Sequence, residues 1–270
     1  MRTKVAVVQM TSTPDVEINL RSAERFVRAA AADGAKLVVL PECFASFGPE
    51  NSKFEAAEPL PAGGPILARM ASLAAELSVE LVLGGFWEKG ASPNKVRNAC
   101  VHVRADGSVG SVYRKIHLYD VDLADGTHLR ESDGVEPGDE LVVADTSFGK
   151  LGLSVCYDVR FPELYRGLVD RGAIALTVPA AFTVHTGKDH WHVLLRARAI
   201  ESQCYVLAAA QTGKHYGSRT TYGHALIVDP WGTVLADHGE GEGFVSACID
   251  DEYVAKVRRE LPSLAHRRVR

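Results

Sequence analysis

The chain has 270 residues, a formal net charge of −4, 46% hydrophobic and 24% charged residues. These are globular proportions, which exclude a disordered or fibrous chain, and the slightly acidic balance argues against nucleic acid or an anionic membrane as partner. Five scattered cysteines (Cys43, Cys100, Cys156, Cys204 and Cys248) form no CxxC or metal-knuckle pattern, which predicts reduced thiols and a cytoplasmic location.

Residues 1–9 enter a strand pattern without the apolar stretch of a signal peptide. No run approaches the ~18 apolar residues of a membrane span. After a strand at 5–10, Asp15 is placed to cap a helix with apolar positions Val16, Leu20, Ala23, Phe26, Val27 and Ala30. Gly34 closes it. The apolar strand 37–40 stops at Pro41-Glu42. Gly63-Gly-Pro65 opens a second helix, and strands follow at 80–84 and 98–103. Ala105-Asp-Gly-Ser108 turns a hairpin into a strand that ends before Lys115. Residues 119–140 form a long acidic, glycine-rich loop.

The strand 151–155 runs into Cys156, and Pro162 sits where the next helix starts. A strand at 174–178, a loop to Lys188 and a helix over 189–203 come next. A strand at 205–210 and a hairpin turned at Asp229-Pro-Trp-Gly232 precede a last strand at 244–249 and a helix at 253–260. This alternation predicts one layered α/β domain over residues 1–270, with helices outside buried sheets.

Glu42, Lys115 and Cys156 each sit at the end of a strand, where layered α/β proteins gather their chemistry. A thiol can attack a carbonyl, a carboxylate can carry its proton, and an ammonium can stabilise the oxyanion. Residue types alone leave bland roles open: a packing cysteine, a turn carboxylate, a solvated lysine. His190 and His192 lie two apart, poor spacing for one metal on one helix face. His224 and Trp231 read as packing or turn residues.

The segments Leu40-Pro-Glu42, Tyr113-Arg-Lys115-Ile-His-Leu118 and Gly152-Leu-Ser-Val-Cys156-Tyr-Asp-Val-Arg-Phe-Pro-Glu163 resemble those of the nitrilase, or carbon–nitrogen hydrolase, superfamily. The likeness continues through Thr186-Gly187, His190-Trp191, Leu195-Arg-Ala-Arg-Ala-Ile-Glu201, Tyr222-Gly-His224 and Asp229-Pro-Trp-Gly232. It implies a four-layer αββα sandwich, paired into αββα–αββα homodimers or larger assemblies, with a Glu42–Lys115–Cys156 triad. It also implies a second carboxylate beside the lysine, at Glu131 in Arg130-Glu-Ser-Asp-Gly-Val-Glu-Pro-Gly138.

The chemistry implied is hydrolysis of a primary amide on a small carboxylate, through a thioester, without cofactor or metal. The backbone N–H of Tyr157 would help receive the oxyanion, and Arg160 is a candidate for the substrate carboxylate. The C-terminal half is most similar to the deaminated glutathione amidase branch, with the omega-amidases, which act on α-ketoglutaramate, as runner-up. Asp189 and the loop 121–130 depart from that pattern. Other classes stay open: a catalytically silent scaffold, a metal-dependent amidohydrolase, and a papain-like hydrolase, which would need a histidine base.

Overall fold

Strand β1 (Arg2–Met10) divides the molecule in two. Side chains alternate across a strand, and here both faces are buried. Val5 and Val7 point into one core while Ala6 and Val8 point into the other. The computed structural model describes residues 2–122 and 128–269.

Helix α1 (Val16–Ala32) begins where Asp15 accepts the Ile18 N–H at 3.0 Å, and Gly34, at φ +93°, lets the chain leave it. Strand β2 (Leu37–Leu40), the single turn α2 (Ser52–Glu55) and α3 (Pro65–Leu77) lead to β3 (Glu80–Lys89). Antiparallel β4 (Val96–Val103) and β5 (Val109–Arg114) follow. The stretch read as a loop contains a small hairpin, β6 (Asp120–Asp122) and β7 (His128–Arg130), and a 3₁₀ turn at Glu131–Asp133.

A second sheet starts with β8 (Val143–Thr146) and β9 (Gly149–Gly152). The strand expected to reach Val155 leaves its ladder at Gly152. Beyond it the Leu153 N–H still donates to Val142 O at 3.1 Å, but side chains then enter the pairing: Ser154 Oγ donates to Thr177 O at 2.6 Å, and the Val155 N–H donates to Asp158 Oδ2 at 2.9 Å. Helix α4 (Pro162–Asp170) and β10 (Ala175–Thr177) follow. Helix α5 (Val184–Ser202) starts five residues before the expected Asp189, because Thr183 Oγ1 caps it by accepting the Thr186 N–H. The run read as one strand over 205–210 is two, β11 (Tyr205–Ala208) and β12 (Ala210–Lys214). The chain changes sheets at Ala209, inside an unbroken apolar stretch that hides the switch. β13 (Thr220–Tyr222), β14 (Leu226–Val228), β15 (Val234–Asp237), β16 (Gly243–Asp250) and α6 (Asp251–Glu260) complete the order.

The first sheet runs β13-β12-β1-β2-β3-β4-β5, with β16 also on β1; the second runs β15-β14-β11-β10-β9-β8. One face of the first sheet packs under α1 and α3. Its other face shares a core with the second sheet, α4 and α5. The layers are therefore helix, sheet, sheet, helix: the αββα sandwich. Among the described residues, no helix is long and apolar enough to cross a membrane.

Candidate active site

Glu42 lies two residues past β2, Lys115 directly after β5, and Cys156 four residues past β9. The acid and the amine thus come from one sheet and the thiol from the other, and the three meet at the end of the seam between them. Lys115 Nζ donates to Glu42 Oε1 at 3.2 Å and to both oxygens of Glu131, at 3.0 and 2.8 Å. The Cys156 thiol and the Glu42 carboxyl are close enough that each shifts the other's proton affinity. All four side chains line one pocket.

Glu42 and Lys115 are only 5% and 2% exposed, so each charge needs a partner. Asn98 on β4 donates to Glu42 Oε1 at 2.9 Å and to Glu131 Oε1 at 3.3 Å. The Ala181 N–H donates to Glu42 Oε2 at 2.9 Å, and the Tyr119 N–H to Glu131 Oε2 at 2.7 Å.

These contacts set the protonation states. Burial pushes the Glu42 carboxyl up, but the Lys115 charge and the donors Cys156, Asn98 and Ala181 outweigh it and leave the acid below its usual value. Burial works against the Lys115 ammonium, yet Glu131 and Glu42 hold it well above the ordinary lysine range. Burial, reinforced by the Glu42 charge, pushes the Cys156 thiol well up. The resting site is a carboxylate, an ammonium and a neutral thiol. Such a thiol needs a base to become a nucleophile, and the charged carboxylate in the same pocket can serve.

Two backbone outliers frame this contact. Cys156, at φ +48°, opens a 3₁₀ turn over Cys156–Arg160, and Cys43 beside Glu42 has φ +59°. Side chains other than glycine rarely adopt this region. The Cys156 turn is held by its own N–H, donated to Pro179 O at 2.9 Å, and by the fully buried Asp158. Asp158 accepts from Val155 N, Tyr113 Oη, His117 N and His117 Nδ1 at 2.7–3.1 Å, joining the thiol turn to the segment that carries Lys115. Glu42 is fixed from behind by Gln211 Nε2, which donates to its carbonyl at 2.9 Å. Gly85 passes so close that a Cβ there would lie 2.6 Å from Cys43 N and from Glu42 Cγ.

Tyr157 and Arg160 line the same pocket. The Tyr157 ring meets Tyr119 and Phe161 edge-on, with centroids 4.9 and 5.4 Å apart. The Arg160 guanidinium lies 5.8 Å from the Tyr157 centroid and 5.3 Å from that of Phe182, and donates to His190 Nδ1 at 3.3 Å. Among the described residues it has no carboxylate partner.

Away from the thiol, His192 Nε2 lies 2.7 Å from Asp237 Oδ2, and His224 Nδ1 lies 3.0 Å from Asp237 Oδ1. His192 therefore gathers with His224 rather than with His190, and His224 is more than a turn residue. Trp231, also read as packing or turn, is in the turn but 56% exposed.

Residues 4–259 match the carbon–nitrogen hydrolase family. The chain is a carbon–nitrogen hydrolase. It is 46% identical over 265 residues to a Synechocystis protein named deaminated glutathione amidase, covering 97% of each chain. It resembles the crystal structure of the C. elegans NitFhit protein with a TM-score of 0.92 at 41% identity, covering 99% of this chain and 65% of that longer one. Yeast Nit3, of branch 10 of the nitrilase superfamily, gives a TM-score of 0.88 at 34% identity and 97% coverage of its chain.

Asn98, Asp158 and Gln211 also build the site of this hydrolase, and none is among the candidate residues that the sequence predicts. The first two left a trace. Asn98 is polar in a strand whose other residues are mostly apolar, and Asp158 is a charge two residues past an apolar run. Buried polar groups are hydrogen-bonded as a rule, so both were signals of a network.

Proposed function

We propose that this hydrolase is a cysteine-dependent amidase acting on deaminated glutathione, the compound in the name of its Synechocystis relative. The observation that carries the reading is the buried Glu42 carboxylate, hydrogen-bonded to the Lys115 ammonium at 3.2 Å and lining one pocket with the Cys156 thiol. Glu42 takes the thiol proton as sulfur bonds the amide carbon. The carbonyl electrons move to oxygen, where Lys115 Nζ and the Tyr157 N–H stabilise them. The C–N bond breaks, the amine leaves with the proton held by Glu42, and a thioester remains on Cys156. Water, deprotonated by Glu42, cleaves it to the free acid and returns the thiol. Glu131 keeps Lys115 charged, and Arg160 pairs with the substrate's near carboxylate. No step calls on a metal or cofactor.

The reading extends to a homodimer of single-domain chains in a reducing, cytoplasmic compartment. Five free cysteines support the compartment. Val193 and Ile200 are one heptad apart on α5, 66% and 47% exposed, and support a subunit contact. Sedimentation equilibrium checks the dimer.

Product analysis tests the activity. The scissile amide of deaminated glutathione is secondary, which departs from the primary amide expected above: it would release cysteinylglycine, whereas α-ketoglutaramate, the omega-amidase substrate, would release ammonia. Assayed side by side, deaminated glutathione is expected to give a kcat/KM at least about tenfold higher. The reverse preference identifies an omega-amidase, and turnover of neither a silent scaffold.

A further inference from the structure

The pocket above Cys156 opens outward, and its mouth is built from a turn the mechanism does not use. Leu129, Thr183, Tyr216 and Arg219 line both the thiol pocket and an adjoining outer cleft that also contains Lys188. Arg219 stands at this junction, in the turn between β12 and β13. The turn is firmly set. The His215 N–H donates to Arg219 O at 3.0 Å, and the Arg219 N–H to Tyr216 O at 2.8 Å. The His215 ring spans Ser12 O and Thr221 Oγ1, each at 2.7 Å. Burial pushes His215 down to about 4, so the ring is neutral at physiological pH and Arg219 is the cation of this turn.

Apart from Arg160, the other cations of the thiol pocket are paired with carboxylates. Lys53 pairs with Glu50, Arg130 pairs with Asp122, and Lys115 pairs with Glu42 and Glu131. Among the described residues, Arg219 has no carboxylate partner. Its Nε is buried without a hydrogen-bond partner. One face of its guanidinium lies 5.8 Å from the Phe47 ring centroid. A guanidinium that lines a pocket without a carboxylate partner, with an aromatic ring beside it, is suited to a planar bidentate acceptor.

We infer that Arg219 binds a second carboxylate of the substrate, on the leaving-group side of the scissile amide and remote from the carboxylate met by Arg160. The inference rests on the amidase reading above and narrows it: the preferred substrate is an amide flanked by two carboxylates, its amine portion extending into the outer cleft. In deaminated glutathione that second carboxylate is the C-terminal glycine's.

The experiment compares deaminated glutathione with its C-terminal carboxamide, in the wild type, Arg219→Gln and Arg219→Lys. The wild type is expected to favour the free acid by about 10–100-fold in kcat/KM, mostly through KM. Arg219→Gln loses that preference and leaves the carboxamide's kcat/KM within about threefold, while Arg219→Lys restores part of it. Equal loss on both substrates, or a preference that survives in Arg219→Gln, overturns the assignment. Calorimetric titration of Cys156→Ala with the same two compounds reads the preference without turnover. If the wild type hydrolyses neither but Cys156→Ala still prefers the acid through Arg219, the amidase reading fails and the anion site stands.

Discussion

Glu131 grips Lys115 with both carboxylate oxygens, at 3.0 and 2.8 Å, whereas Glu42 takes the same ammonium with one, at 3.2 Å. The two acids are therefore not equivalent. Glu131 is committed to the lysine, to Asn98 and to the Tyr119 N–H, while Glu42 also meets the thiol. In the mechanism we propose, one acid holds the charge that receives the oxyanion, and the other moves protons.

Glu131→Gln separates the roles. Removing this charge takes away the largest force raising the Lys115 pKa. The alkaline limb of kcat/KM should then shift to lower pH, and kcat should fall about 10²-fold, with KM little changed. A purely structural Glu131 would lower the melting temperature without moving the limb. The pH–rate profile decides.

In the wild type, kcat/KM should stay level between about pH 6 and 9. Glu42 is held below its ordinary 4.5, so the acid limb lies beneath that value; Lys115 is held above its ordinary 10.5, so the ammonium outlasts the neutral range. The same shifts act on stability. Glu42 contributes stability above pH 4.5 that is lost as pH falls through its lowered pKa. Lys115 contributes below pH 10.5, and loses it as pH rises through its raised pKa. Profiles of rate and of urea midpoint against pH check both limbs.

Asp158→Asn should cost stability as well as rate. The carboxylate accepts four hydrogen bonds with no solvent exposure, and an amide turns one acceptor into a donor facing donors. The expected loss is about 2–4 kcal/mol, or about 5–10 °C in Tm. Because Asp158 ties the Cys156 turn to the Lys115 segment, kcat should drop too. Thermal melts and steady-state rates measure the pair.

The meeting of Glu42, Lys115 and Cys156 was suggested by their places at or after strand ends, a pattern local in sequence, and family resemblance made the suggestion strong. Glu131 came only from family resemblance, since Asp133 and Glu136 nearby look no different. Asn98 left only the trace of a polar residue in an apolar strand and Arg219 left none, because their meaning is relational: one needs two carboxylates across three elements, the other the mouth of a pocket. The fold followed the same rule. Alternation and caps located α1 and α3, while the change of sheet at Ala209 left no local mark, every residue of 205–211 being buried whichever sheet it joins.

The most direct measurement is the rate of Cys156→Ala on deaminated glutathione, in protein whose melting curve matches the wild type. With the nucleophile gone no thioester forms, and kcat should fall by at least about 10⁴-fold. Turnover within about tenfold of the wild type would show that the amide bond is broken without this sulfur, and the account would be wrong at its centre.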